Sequence, residues 1–217
     1  MTLDKSYSIR WWLVRHAPVI NPNDVAYGSM DLDAGFEGME SRITFLRQIL
    51  PTAANIRTSA LVRSQQTLKA VWPTASVNAD PVWNEQSLGA WEGRPKAQIY
   101  GPDGPVRDLL DDPYHYRPPN SPDGERIGEG WHDLLHRVVQ GLTAAESNQT
   151  SRDEIVFCHA GTIRAVIAHC LALEPERAFG FVVDNMSLTR IDSVHFIDRG
   201  QPQQRWRVAG INLGPAS

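Results

Sequence analysis

The chain has 217 residues, 41% hydrophobic and 21% charged, with a formal net charge of −4. That balance argues against general affinity for nucleic acid or an anionic membrane, which call for basic faces, so any anion site has to be local, built from a few placed arginines. A chain of this length buries roughly 70% of its unfolded surface, and no linker divides it, so residues 1–217 read as one domain.

The N-terminal MTLDKSYSIR lacks the apolar core of a signal peptide, and no run approaches the length of a membrane span, so the chain reads as cytoplasmic. Trp11 to Val14 read as a strand buried on both faces. Directly after it come a fixed cation, Arg15, and a titratable nitrogen nucleophile, His16, and Pro18 ends the ladder. In open α/β sheets the carboxyl ends of the strands are where ligands sit. Residues 19–35 are loop, rich in turn signals such as Asn-Pro and Tyr-Gly. Met39 to Leu50 reads as a helix with Met39, Ile43, Leu46, Ile49 and Leu50 on one face, stopped by Pro51. Asn55 to Thr58 is a short strand, and Ser59 the predicted N-cap of a helix that ends at Pro73. Arg63 then falls in a helix's first turn, where it opposes the macrodipole, as functional anion sites do.

Val77 to Trp83 is expected as a weaker strand leading to NEQSLGAWEGRP, which holds Glu85. Residues 94–126, dense in Pro, Gly and Asp, read as an excursion over the site. A clear amphipathic helix follows from Trp131 to Leu142. EIVFCHAGT then repeats the opening grammar: an apolar run ends at His159, and Gly161 and Thr162 open a helix carrying Ile163, Val166, Ile167, Cys170 and Leu171 at helical spacing. The free N–H groups of that helix start suit an oxyanion. The two cysteines, Cys158 and Cys170, match neither a disulfide framework nor a zinc signature, and Cys158 should face away from His159 and be inert. Met186 to Ile191 and Trp206 to Ile211 look like closing strands at an antiparallel edge.

These residues assemble into one chemistry. Imidazole can attack phosphorus, guanidinium groups bind phosphoryl oxygens at any working pH, and a carboxyl group can protonate a departing oxygen. His16, His159, Arg15, Arg63 and Glu85 supply those groups without a metal, and two histidines from distant strands fall short of a metal-ligand cluster.

The chain also resembles the histidine phosphatase superfamily, the phosphoglycerate mutase-like fold. LVRHAPV is similar to its Arg-His-Gly signature, with Ala17 in place of the glycine; TSALVRSQQTL to the segment carrying its second arginine; VWNEQSLGAWEG to the segment carrying its acid/base glutamate; and FCHAGTIRAV to its second-histidine motif, with Ala160 in place of the first glycine. The motifs occur in the family's order and span residues 13 to about 167. The resemblance implies a three-layer α/β/α fold with a mixed, mostly parallel central sheet. It implies a phosphomonoester hydrolase without cofactor, acting on a small phosphorylated metabolite. His16 would be the phosphorylated nucleophile, Arg15 and Arg63 the clamp on the phosphoryl oxygens, and Glu85 the general acid and then base. His159, with Ala160 beside it, would contact the same phosphoryl group.

Tyr27-Gly28-x-x-Asp31 and the Glu-Gly after Trp91 look most like the α-ribazole phosphatase branch. Asn21 stands one residue short of a phosphate-binding asparagine of many relatives and receives no role, and the family's Leu-Thr-x-x-Gly helix opening is replaced by DLDAGFEGME. Alanine at positions 17 and 160 costs little where φ is negative. Arg164 reads as a structural ion-pair partner, Trp91 as turn packing, and His115, His132, His136, His169 and His195 as packed or solvated. Arg107, Arg117 and Arg126 lie in the excursion, either as a solvated face or as substrate contacts. A mutase on the same site is the nearest alternative activity, and a silent binding module the alternative of another class. A second copy of the chain is the macromolecular partner kept open.

Overall fold

Trp11 to Val14 lie in the middle of β1 (Tyr7–Arg15), the central strand of the sheet in a computed structural model that describes residues 6–215. With β2 (Asn55–Thr58), β3 (Arg152–Cys158), β4 (Leu188–Asp198) and β5 (Gln201–Leu213) it forms one five-stranded sheet in the order β2-β3-β1-β4-β5. β2, β3 and β1 pair in parallel, while β4 runs antiparallel to both β1 and β5. Only β4 opposes the common direction, as a mixed, mostly parallel sheet requires.

Side chains alternate across β1 and β3, and each face acquires its own core. Ile9, Trp11, Leu13, Val156 and Cys158 pack with α5 (Trp131–Glu146) and α6 (Ala160–Leu171) through Trp131, Leu134, Val138, Ile163 and Val166. Trp12, Val14, Ile155 and Phe157 pack on the other side against α1 (Glu40–Ile49) and α2 (Val62–Val71) through Leu46, Leu68 and Val71. The result is three layers, helix on sheet on helix. Truncating a fully buried residue such as Leu134 to alanine would cost about 2–5 kcal/mol.

The β1–β3 register sets up the site. It pairs Arg15 with Cys158, so the next residue on each strand is a histidine. The His16 N–H donates to the Cys158 carbonyl at 2.9 Å, extending the ladder by one bond. Cys158 is buried, and burial pushes its thiol pKa up.

Several expectations need correction. Residues 77–83 do not form a strand: Ala79 makes an isolated bridge to Thr58, and Pro81–Trp83 is a turn of 3₁₀ helix. Pro81 carries no N–H for a ladder, and the Asp80 carboxylate instead accepts from the Val82 N–H. Ser59 does not cap α2, which starts at Val62; the Asp31 carboxylate reaches the Val62 N–H at 2.6 Å and performs that task from a distant loop. Ile49 and Leu171, placed on apolar faces by spacing, are 43% and 42% exposed, each in the last turn of its helix. The closing strands are longer than expected and join in a hairpin at Arg199-Gly200, both at positive φ (49° and 78°), the geometry of a tight I′ turn. The 94–126 excursion contains two short helices, α3 (Lys96–Tyr100) and α4 (Val106–Asp111), and α7 (Pro175–Phe179) follows α6. Among the described residues no helix is long and apolar enough to cross a membrane.

Candidate active site

At the carboxyl edge of the sheet the rings of His16 and His159 lie 5.0 Å apart, inclined by 55°. Both are buried, at 2% and 0% exposure. His16 Nδ1 sits 2.6 Å from the carbonyl oxygen of Ala17. A carbonyl only accepts, so Nδ1 carries the proton and Nε2 keeps its lone pair. Burial, followed by the neighbouring Arg63 charge, lowers the His16 pKa to about 3, so the ring is neutral at any physiological pH. The backbone around it is pinned: Asn185 donates to the His16 carbonyl at 2.9 Å, and the Ala17 N–H donates to Thr67 at 2.9 Å. Neither Ala17 nor Ala160 has a positive φ, so each tolerates its Cβ where relatives carry glycine.

His159 Nε2 lies 2.7 Å from Ser59 Oγ and 3.3 Å from Ser64 Oγ, while its Nδ1 is buried without a partner among the described residues. Burial, Arg63 and His16 together hold its pKa well below the usual histidine range. Sequence reasoning missed the contact of both serines with His159. Ser59 was legible only as a helix cap, because a strand-end serine looks the same in either use.

Arg63 is 0% exposed. Its Nη1 and Nη2 donate to the carbonyls of Met30 and Gly28 at 2.5 and 2.7 Å, and Nε has no partner. Arg15 Nη1 donates to the Val183 carbonyl at 2.5 Å, and its Nε is likewise buried and unpartnered. Neither guanidinium is therefore the free fork that sequence reasoning expects. Each is fastened to backbone by a terminal nitrogen and keeps its Nε–H unspent.

Glu85 is held by the start of α6: its Oε2 accepts from the Gly161 N–H at 3.1 Å, and its Oε1 from the Gln86 N–H at 3.1 Å. That helix start, expected to face an oxyanion, holds this carboxylate instead. A Cβ on residue 161 would lie 2.3 Å from Glu85 Oε1, so only glycine permits the approach. The segment beneath is braced by Arg137, which donates to the carbonyls of Val82 and Asn84 at 2.9 Å and pairs with Glu129 at 2.8 Å. Arg137, two turns into α5, gave no signal in the sequence. Glu92 is buried, its Oε1 accepting from the Ser29 and Leu88 N–H groups at 2.7 and 2.9 Å, and it ties the Gly28–Met30 loop to the Glu85 segment.

Beside Glu85 opens a cleft of about 340 Å³ with Tyr27, Leu88, Trp91, Tyr100 and Leu109 among its walls. Ala160 and Arg164 complete it from α6, whereas His16, His159, Arg15 and Arg63 lie outside its walls. Lys96, Tyr100 and Leu109 bring the 94–126 excursion to its rim. Trp91 is buried and stacks on Tyr116 while its edge faces the cleft. Arg117 pairs with Asp133 and Arg107 donates to the Pro102 carbonyl, both on the surface. Asn21 spends its side chain on both backbone groups of Val25. Arg164 forms no ion pair among the described residues, contrary to the structural role read from the sequence; its Nε donates to the Phe181 carbonyl at 3.0 Å.

A model of the histidine phosphatase superfamily (branch 1) matches residues 11–207. The chain belongs to that superfamily. Solved structures of this histidine phosphatase fold align over nearly the whole chain. A mycobacterial glucosyl-3-phosphoglycerate phosphatase is 23% identical with a TM-score of 0.72, covering 94% of this chain and 99% of its own. An alpha-ribazole phosphatase from Shigella flexneri is 22% identical at 0.67, covering 94% and 96%. A phosphoserine phosphatase mutant from Entamoeba histolytica, in complex with phosphoserine, is 18% identical at 0.69, covering 94% and 96%. At these identities the likeness speaks for the fold alone. No curated protein sequence matches this chain significantly.

Proposed function

We propose that this histidine phosphatase hydrolyses phosphomonoesters through a phosphohistidine on His16. The observation that carries the proposal is the bond from His16 Nδ1 to the Ala17 carbonyl, which leaves a neutral Nε2 lone pair at the carboxyl edge of the sheet. In the first half-reaction Nε2 forms the N–P bond as the ester O–P bond breaks, and Glu85 gives its proton to the departing oxygen. In the second, water attacks phosphorus, Glu85 takes a proton from it, and the N–P bond breaks to release inorganic phosphate. The unspent Nε–H groups of Arg15 and Arg63, with His159 Nδ1, stabilise charge on the phosphoryl oxygens. Ala160 lines the cleft beside Glu85 on the α6 side. With His16 only 2% exposed, the phosphoryl group reaches Nε2 only when neighbouring side chains part.

The apolar walls beside Glu85 support a reading in which the leaving group lies there and carries a flat apolar body. α-Ribazole 5′-phosphate has such a body and stands first in a substrate screen, alongside sugar phosphates and phosphoglycerates. Brief incubation with labelled substrate and an alkaline quench is expected to leave label on the peptide holding His16. Label on His159, serine or aspartate would overturn the assignment. Interconversion of 3- and 2-phosphoglycerate without phosphate release would favour a mutase, and folded protein that neither labels nor turns over any ester a silent binding module.

A further inference from the structure

Arg164 is a cation without an ion-pair partner among the described residues, in a cleft whose largely apolar walls also hold Glu85, Gln86 and Lys96. It lies on α6 one turn beyond Ala160 and Gly161, so it projects from the side of the helix that holds Glu85. Its Nε is committed to the Phe181 carbonyl, which leaves the two terminal nitrogens at the far edge of the guanidinium. It forms no ion pair among the described residues, although Glu85 and Arg15 both lie near enough for their charges to act on it. Tyr27, Leu88, Trp91, Tyr100 and Phe179 stand around the same space. A partly desolvated cation without a direct carboxylate partner is costly to hold in such surroundings, and the nearby Glu85 charge offsets only part of that cost.

From this arrangement we infer that Arg164 reads a carboxylate on the leaving-group half of the substrate, set at the far end of a flat apolar body. The inference rests on the phosphomonoesterase reading and narrows it. Glu85 faces the leaving oxygen, so whatever extends past Glu85 toward Arg164 belongs to the leaving group. Two parallel N–H donors match a carboxylate fork, and because Lys96, also on the cleft, is already paired with Asp24, Arg164 is left to balance a single charge, whereas a second phosphate would bring two. A neutral nucleoside such as that of α-ribazole would leave Arg164 unpaired, so the substrate screen also bears on the point.

The test uses a matched pair of esters, 6-carboxy-2-naphthyl phosphate and 2-naphthyl phosphate, on the wild-type protein and on Arg164→Gln and Arg164→Lys. Wild type is expected to favour the carboxylated ester by about ten- to hundredfold in kcat/KM, mostly through KM, as a charge-assisted hydrogen-bonded pair implies. Arg164→Gln should erase most of that preference, and Arg164→Lys should keep part of it. Equal kcat/KM for the two esters in wild type would overturn the inference, and so would an Arg164→Gln variant that lowers both equally. Fluorescence titration with the dephosphorylated products, 6-hydroxy-2-naphthoate and 2-naphthol, needs no turnover. If neither ester is hydrolysed yet wild type binds the naphthoate far more tightly, the phosphatase reading fails and the Arg164 site stands. Equal binding of the two products defeats the site whatever the turnover.

Discussion

Gly161→Ala is the smallest change that separates Glu85 from the rest of the site. The backbone accepts it, since Gly161 does not sit at positive φ. The obstacle is the carboxylate: the new Cβ would lie 2.3 Å from Glu85 Oε1 and 3.2 Å from its Cδ. Ordinary contact for a Cβ begins at about 3.4 Å, so Glu85 has to retreat by about 1 Å, and misplacement on that scale is worth about 10²-fold. The Gly161 N–H bond at 3.1 Å would stretch with it. A displaced acid matters only where the leaving group needs a proton, so alkyl phosphates should lose about 10²-fold in the phosphorylation step while p-nitrophenyl phosphate loses much less. Rapid mixing that resolves the phosphoenzyme burst from the steady state reads this directly, with Glu85→Gln as the reference for complete loss of the transferable proton. Dephosphorylation, which needs the same group as a base, should slow with both substrates. An equal slowing of the burst for the two leaving groups would refute the assignment. The alternative carboxylates are poorly placed to take over, because Asp31 caps α2 and Glu92 is bound to backbone amides.

Arg63→Lys should cost at least about 10²-fold in kcat/KM, because an ammonium cannot reach two carbonyls and keep an Nε-type donor free; a melting curve should register the loss as well, since the Gly28 and Met30 carbonyls would lose their partner. Ser59→Ala removes the closest partner of His159 Nε2 and should lower kcat more than KM, with Ser59→Thr restoring part of the loss in steady-state assays. Stability should fall as pH drops below about 6.5, since His16 titrates near 3 when folded and near 6.5 when unfolded, so the unfolded chain binds more protons throughout that window. The slope is about 1.4 kcal/mol per pH unit for each such histidine, and urea midpoints for His16→Asn should be measurably flatter with pH. Activity should survive dialysis against EDTA, with a loss restored only by added divalent ion counting against the arginine-based site.

Legibility differed between the backbone and the side chains for a physical reason. Strand ends followed by histidine were readable because a doubly buried strand leaves a dense apolar run, and the parallel register then brings His16 and His159 together unaided. Arg63 was readable as an oddity, a cation at the positive end of a helix. The direction of its donors was not, because the Gly28 and Met30 carbonyls come from a loop about 35 residues away whose path no periodicity encodes. The same holds for Arg137, whose position in α5 looks like any solvated one until the Pro81–Trp83 turn arrives against it. Residues 77–83 failed for a simpler reason: apolar residues around a proline satisfy a strand template and a 3₁₀ turn alike.

The donors left unspent tell more about the chemistry than the bonds already made. Arg15 Nε, Arg63 Nε and His159 Nδ1 are all buried without protein partners among the described residues. Each such donor costs about 1–3 kcal/mol in desolvation, a burden that packing alone would have removed. Ser59 Oγ lies 2.7 Å from His159 Nε2, and where its hydroxyl donates there, the His159 proton sits on Nδ1. The same charges explain why both imidazoles are neutral, since adding a proton beside two arginines in a dry site is opposed on every side. On the phosphohistidine reading, a phosphoryl dianion would reverse that field. It accepts from donors that are already oriented and already desolvated, so little reorganisation remains for the moment of transfer. The neutral His16 ring and the unsatisfied polar groups are then two results of one arrangement, arginines fastened to backbone carbonyls beside the histidines.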